Sequence, residues 1–233
     1  MKKTLIVLMV ALLIPAAVFA GRGAFDLIIG AVAKYNYGLG EMIDEVKAGT
    51  DPSPFLKLDN YQFGPELRIR LAIVEIDAGA LMNTNGSGAK EFYKTFDYSG
   101  YGNVGLSFDL LGFIRLGVTA GLDFAYKPTN PEGQQFIIGP STVGDTKRQT
   151  LIASMEGGAG NMANWALTAP INVRATVDFL LGDAITLGVN AVLPTNLSIA
   201  AISDGEAWKA AYKDATTNWK ATQVGIYLGF NLI

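Results

Sequence analysis

Apolar residues recur at every second position in eight separate stretches of this chain, and that spacing belongs to strands with one apolar and one polar face. In residues 25 to 37, Phe25, Leu27, Ile29, Ala31, Ala33, Tyr35 and Tyr37 share one face, while Asp26, Gly30, Lys34 and Asn36 share the other; Ile28 and Val32 break the pattern. The second stretch sets Tyr61, Phe63, Leu67, Ile69 and Leu71 against Gln62, Gly64, Glu66, Arg68 and Arg70, with Pro65 marking a strand end or an irregularity. The third sets Val74, Ile76, Ala78, Ala80 and Met82 against Glu75, Asp77 and Gly79, after a tight reversal near Ala72.

Two hairpins are explicit. Val104 to Leu110 turns through Leu111-Gly112-Phe113 into Ile114 to Tyr126, placing Asp109, Arg115 and Asp123 on polar faces. Ile171 to Phe179 turns through Leu181-Gly182-Asp183 into Ile185 to Leu193, with Arg174 and Asp178 on the polar side. The two share an internal likeness, Phe108-Asp109-Leu110-Leu111-Gly112 beside Asp178-Phe179-Leu180-Leu181-Gly182. The eighth stretch is Val224 to Leu232. Connections alternate: a few residues after stretches two, four and six, but about 20, 20, 43 and 25 residues after one, three, five and seven. The expected fold is therefore all-β, an antiparallel up-and-down barrel of eight strands. It becomes ten strands if Gln135 to Ile138 and Gln149 to Ser154 add a hairpin within the 43-residue connection.

Alternation alone does not say which face meets water. The arginines decide it. Arg68, Arg70, Arg115 and Arg174, four of six, fall on polar strand faces, whereas Lys34 is the one lysine of twelve with a clear place there. A solvated outer face would carry lysine. Together with Glu66, Glu75, Asp77, Asp109, Asp123 and Asp178, the arginines suit a confined lumen in which guanidinium groups bridge carboxylates and glycine fills crowded gaps. The apolar face then looks outward, to lipid, and the segregation of short turns from long loops fits a transmembrane barrel. Eight strands enclose a lumen that side chains fill, so the charges read as a neutralising plug ahead of a charge-selective path.

The amino terminus reads as an export signal. Met1-Lys2-Lys3 precedes an apolar run from Thr4 to Ile14, and Pro15 leads to Val18-Phe19-Ala20 before Gly21, so residues 1 to 20 are expected to be cleaved and 21 to 233 to form one barrel domain. Without cysteine the chain cannot be a lipoprotein. Losing Lys2 and Lys3 from eighteen basic residues, against twenty-one acidic ones, leaves a formal charge of −5, which disfavours nucleic acid. Histidine and cysteine both number 0, which removes imidazole and thiolate mechanisms and Cys/His metal sites. No catalytic residue, metal or cofactor is assigned, and a non-enzyme is expected.

This layout resembles the small eight-stranded bacterial outer-membrane barrels, the group that includes the OmpW, OmpX and opacity-protein families. The resemblance rests on the hairpins and on the terminal stretch Val224 to Ile233, in which Tyr227, Phe230, Leu232 and Ile233 are similar to a carboxy-terminal assembly signal; such signals commonly end in Phe, and this one ends in Ile233. It implies outer-membrane lipid and the barrel-assembly machinery as partners. In the loops, Ser203-x-x-Glu206 reads as a capping box for a short helix with Trp208, Ala211, Tyr212 and Ala215 on one face, placed as a lid over the mouth. Glu41 to Val46 and Leu151 to Met155 form shorter turns. Two functions follow. Met42, Ile43, Ile152, Met155, Trp208 and Tyr212 form an apolar portal for a small hydrophobic molecule, which the OmpW-type resemblance implies, or the long loops act as a structural or adhesive surface.

Overall fold

The structure, a computed structural model, describes residues 25–49, 60–83, 97–110, 112–127, 135–138, 151–153, 167, 169–217 and 219–233. The export segment expected over 1–20 and the portal residue Met155 lie outside them. Among the described residues ten strands form: β1 (Phe25–Tyr35), β2 (Tyr61–Leu71), β3 (Val74–Asn83), β4 (Asp97–Leu110), β5 (Ile114–Lys127), β6 (Gln135–Ile138), β7 (Leu151–Ala153), β8 (Pro170–Leu181), β9 (Ile185–Ser198) and β10 (Gln223–Asn231). The described helices α1 (Leu39–Lys47) and α2 (Gly205–Thr217) lie in the β1–β2 and β9–β10 connections.

Eight of the strands close a ring. Consecutive strands pair antiparallel from β1 to β5, β5 pairs with β8 from Ile114↔Phe179 to Gly121↔Asn172, and β8, β9 and β10 lead back to β1. The seam is Ile28↔Asn231 to Lys34↔Gly225. β6 and β7 do exist where the ten-strand alternative placed a hairpin, but they do not widen the wall. β6 pairs with β5 only at Phe124–Lys127, beyond the stretch that β5 shares with β8, so the hairpin prolongs the loop end of the sheet outside the closed ring.

Period two explains the wall. In β8 and β10 burial alternates residue by residue, with Arg174, Thr176, Asp178, Gly225, Tyr227 and Gly229 buried, while Val177, Phe179, Ile226, Leu228 and Phe230 are exposed. The interior is polar and the exterior apolar, the inverse of a soluble barrel. A one-residue slip would exchange the two faces entirely. Ile28 and Val32, the two exceptions to the pattern in β1, point inward and pack with Leu81, Tyr101 and Tyr227 into a small apolar cluster inside the ring. Pro65 does not end β2. The strand runs through it, paired unbroken with β1, while the ladder to β3 lacks the pairs at Gly64 and Pro65, where a Cβ on Gly64 would collide with the Ala80 carbonyl.

The three short turns gather at one end. Gly112 and Gly182 take φ of +75° and +63°, as a tight hairpin requires, but the first turn uses Ala72 at φ +55°. Each turn region is tied sideways: Ser107 N–H to the Ile73 carbonyl, Leu180 N–H to Phe113 and Asn231 N–H to Ala184, at 2.8, 2.8 and 2.9 Å. This end is knitted across neighbouring hairpins. The two described helices, α1 and α2, lie towards the opposite end.

Candidate functional site

The charged interior side chains come from β1, β2, β3, β4, β5 and β8, each presenting its polar face to the same closed space. All ten residues of the charged set are buried in it, together with Asp26 and Lys34. They fall into tiers. Near the short turns, Asp26 and Asp109 are bridged by two arginines: Arg115 Nη2 reaches Asp26 at 2.5 Å and Nε reaches Asp109 at 2.6 Å, while Arg70 Nη1 lies 3.2 Å from Asp26 and 2.8 Å from Asp109. Two cations and two anions close a ring of charge-assisted bonds across β1, β2, β4 and β5.

The central tier is built on Glu66. Arg68 Nε pairs with it and extends Nη1 to Asp178 at 2.6 Å; Arg174 donates to Glu66 at 2.8 Å and to Asp77 at 2.6 Å. Asn103 Nδ2 donates to Asp77 at 2.6 Å, and the Tyr101 hydroxyl donates to Glu66. Both arginines also lie against rings, Arg68 3.9 Å from the centroid of Tyr227 and Arg174 5.0 Å from that of Tyr101. Glycine makes the room. A Cβ at Gly79 would overlap the Tyr101 ring, and one at Gly30 or Gly229 would overlap Tyr227.

Between the tiers, the buried carboxylate of Glu75 faces Ser107 and Thr176 over Gly117. Towards the loop end, Lys34, Asp123, Asn172 and Asn190 line a cavity of about 10 Å³, room for roughly one water. Among the described residues, buried carboxylates number seven, against five buried cations. Ion pairs occupy both tiers, and the Tyr101 and Tyr227 rings stand beside the arginines of the central one.

Reading faces from the sequence locates these groups without their partners. Asp26 is missing from the expected charged set although it shares the polar face of β1, and nothing in the pattern singles out Tyr101; both complete a tier. Tyr227 has a second place besides the terminal segment, inside the lumen under Arg68. Phe230 is exposed on the outer side, Leu232 and Ile233 are exposed past the end of β10, and Leu232 N–H donates to the Leu27 carbonyl at 2.8 Å.

The described portal residues lie on three different elements. Met42 and Ile43 are half-buried on α1, Ile152 lies in β7, and Trp208 and Tyr212 are exposed on α2. Met42 lines a groove of about 520 Å³ with Tyr35, Tyr61 and the outward side chains Ala33, Ala175, Ala191 and Val224, so the groove lies on the outside of the wall. The helix α2 starts one residue later than the capping box implies. Asp204 Oδ1 accepts the Glu206 N–H at 2.9 Å, an N-cap by Asp204 in place of Ser203. Its buried side also differs from expectation: Ala211 is buried and Ala207 partly so, while Trp208 and Tyr212 face away. Alanine wins because a helix laid flat on a strand wall needs small residues at the contact.

No family model matches this chain, and no curated protein matches it in sequence. Among solved structures it is similar to the N-terminal β-barrel domain of Pseudomonas aeruginosa OprF, with 11% identity, a TM-score of 0.46, and 90% of this chain and 98% of that one covered. It is also similar to Ail, the attachment invasion locus protein of Yersinia pestis, at 10% identity, TM-score 0.39 and 89% and 97% coverage. Neisserial surface protein A gives 12%, 0.37, and 90% and 96%.

Proposed function

We propose that this protein is a non-enzymatic outer-membrane barrel of a bacterium whose lumen is sealed and whose activity lies at its outer surface. The sealed lumen carries this reading. Arg115 in one tier, and Arg68 and Arg174 in the next, reach carboxylates on strands across the ring, and Arg70 joins Asp26 to Asp109 beside Arg115. A solute would have to break buried, multiply bonded ion pairs to pass. The outward rows of Leu, Ile, Val and Phe are a surface for lipid, and the long connections then stand on one side of the membrane as a structural or adhesive face. Lacking histidine and cysteine, the chain has no imidazole or thiolate to build catalysis on.

The test is electrical. Purified barrel in planar bilayers is expected to give no stepwise conductance, whereas Arg68→Ser with Arg174→Ser, which empties the central tier, is expected to leak. Conductance from the unaltered protein would overturn the reading. The outer-wall groove under Met42 favours a second reading, binding of a small hydrophobic molecule, with entry from lipid instead of through the lumen. Met42→Asp should abolish retention of a hydrophobic fluorophore by the folded barrel if that reading holds, and leave it unchanged if it does not.

A further inference from the structure

Helix α2 does not sit over the barrel mouth. Ala211 packs on Ile171 and Leu197, with Ala207, Ala120 and Leu122 around them. Ile171, Ala120 and Leu122 belong to the outward-facing rows of β8 and β5, so the helix is strapped against the outside of the wall near its loop end. Directly along the same row of β5, Leu116 and Val118 are exposed apolar residues. The helix thus lies at the upper edge of the apolar belt, with its far side turned away from the protein.

One flank of its exposed surface is apolar, beside the exposed charges of Glu206, Lys209 and Lys213. Trp208 is 51% exposed and Tyr212 74%, and the turn leading into the helix adds exposed Ile199 and Ile202. Trp208 Nε1 donates to the Ile202 carbonyl at 2.7 Å, so its polar atom is satisfied within the protein and the ring can enter an apolar medium without stranding a donor. Lys209, paired with Glu206 at 2.6 Å, keeps its charges on an exposed side of the same helix. Amphipathic rings beside charged groups at the rim of an apolar belt match the headgroup boundary of a bilayer.

We infer that α2 is an interfacial segment, with Trp208, Tyr212, Ile199 and Ile202 seated in the headgroup zone of the outer leaflet, so that lipid covers this surface and not a protein partner. The inference rests on the membrane reading above, and the experiment separates the two. Trp165→Phe with Trp219→Phe leaves Trp208 as the sole tryptophan of the full-length barrel, reconstituted in phosphatidylethanolamine and phosphatidylglycerol vesicles. A second protein replaces all three tryptophans with Phe and carries Val118→Trp as a reporter in the exposed row. The expected result is a blue-shifted Trp208 emission that is protected from acrylamide and loses most of its intensity to lipids brominated near the headgroup end of the chain. The Val118→Trp reporter should be quenched by bromines deeper in the chain. If Trp208 emits as in water and only the wall reporter responds to lipid, the interfacial assignment fails and the membrane barrel stands; if neither responds, the membrane reading itself fails.

Discussion

Arg115 is 1% exposed and holds two carboxylates from two strands, Asp26 on β1 and Asp109 on β4. Breaking such a pair from one side leaves an uncompensated buried charge. Arg115→Met is therefore expected to cost about 3–5 kcal/mol, because Arg70 alone would remain for both carboxylates. Urea unfolding in vesicles measures it, and adding Asp109→Asn should recover part of the loss; an unchanged urea midpoint for the single variant would count against the tier. At this scale the sequence is readable by face and unreadable by partner. Parity puts Arg115 and Asp109 on one side of the wall, yet whether Arg115 meets Asp26 or Asp178 depends on how far the ring staggers, which no single strand records. Ala72 shows another limit: its φ of +55° is a conformation for which glycine is the usual signal, and the residue type conceals it.

Among the elements, strands are legible and helices are not. A strand repeats its environment every two residues, so β5 declares its faces over fourteen positions. Helix α2 has one narrow contact, and the large side chains that look like a buried face, Trp208 and Tyr212, are the exposed ones, while Ala207 and Ala211 make the contact. Face assignment in β5 yields a quantitative expectation. Val118 in the wall and Val46 on α1 are 58% and 60% exposed, nearly identical by accessibility. In water, arginine at either would be tolerated alike. Against lipid, Val118→Arg should cost roughly 2–4 kcal/mol if it lies near the midplane, whereas Val46→Arg should stay within about 0.5 kcal/mol as an ordinary surface change. Equilibrium unfolding of both variants in the same vesicles measures the difference, and equal values would place Val118 in solvent.

For the whole molecule, what matters is that β5 turns from β6 to β8 as its partner along its own length. The wall is complete without β6 and β7. Replacing residues 130–160 with a short Gly-Ser linker should leave a folded ring that keeps the heat-dependent gel migration of the full chain; loss of that folded form would mean that the hairpin belongs to the wall. The strand count is ambiguous in the sequence for a physical reason. The alternating stretch at 135–138 has the pattern of a strand wherever it sits, and only the pairing of Ile114–Gly121 with β8 shows that the circle is already shut.

The seam between β1 and β10 joins the first and the last of the described strands. Until Gln223–Asn231 is in place, Phe25–Tyr35 and Ile185–Ser198 each carry an open ladder, and these two unsatisfied backbone edges face whatever surrounds them. Shortening the chain at its tail would therefore not trim stability in proportion. It would remove the closing stave, and the remaining staves would be left as a curved sheet with two adhesive margins, poorly suited to lipid and prone to join another copy.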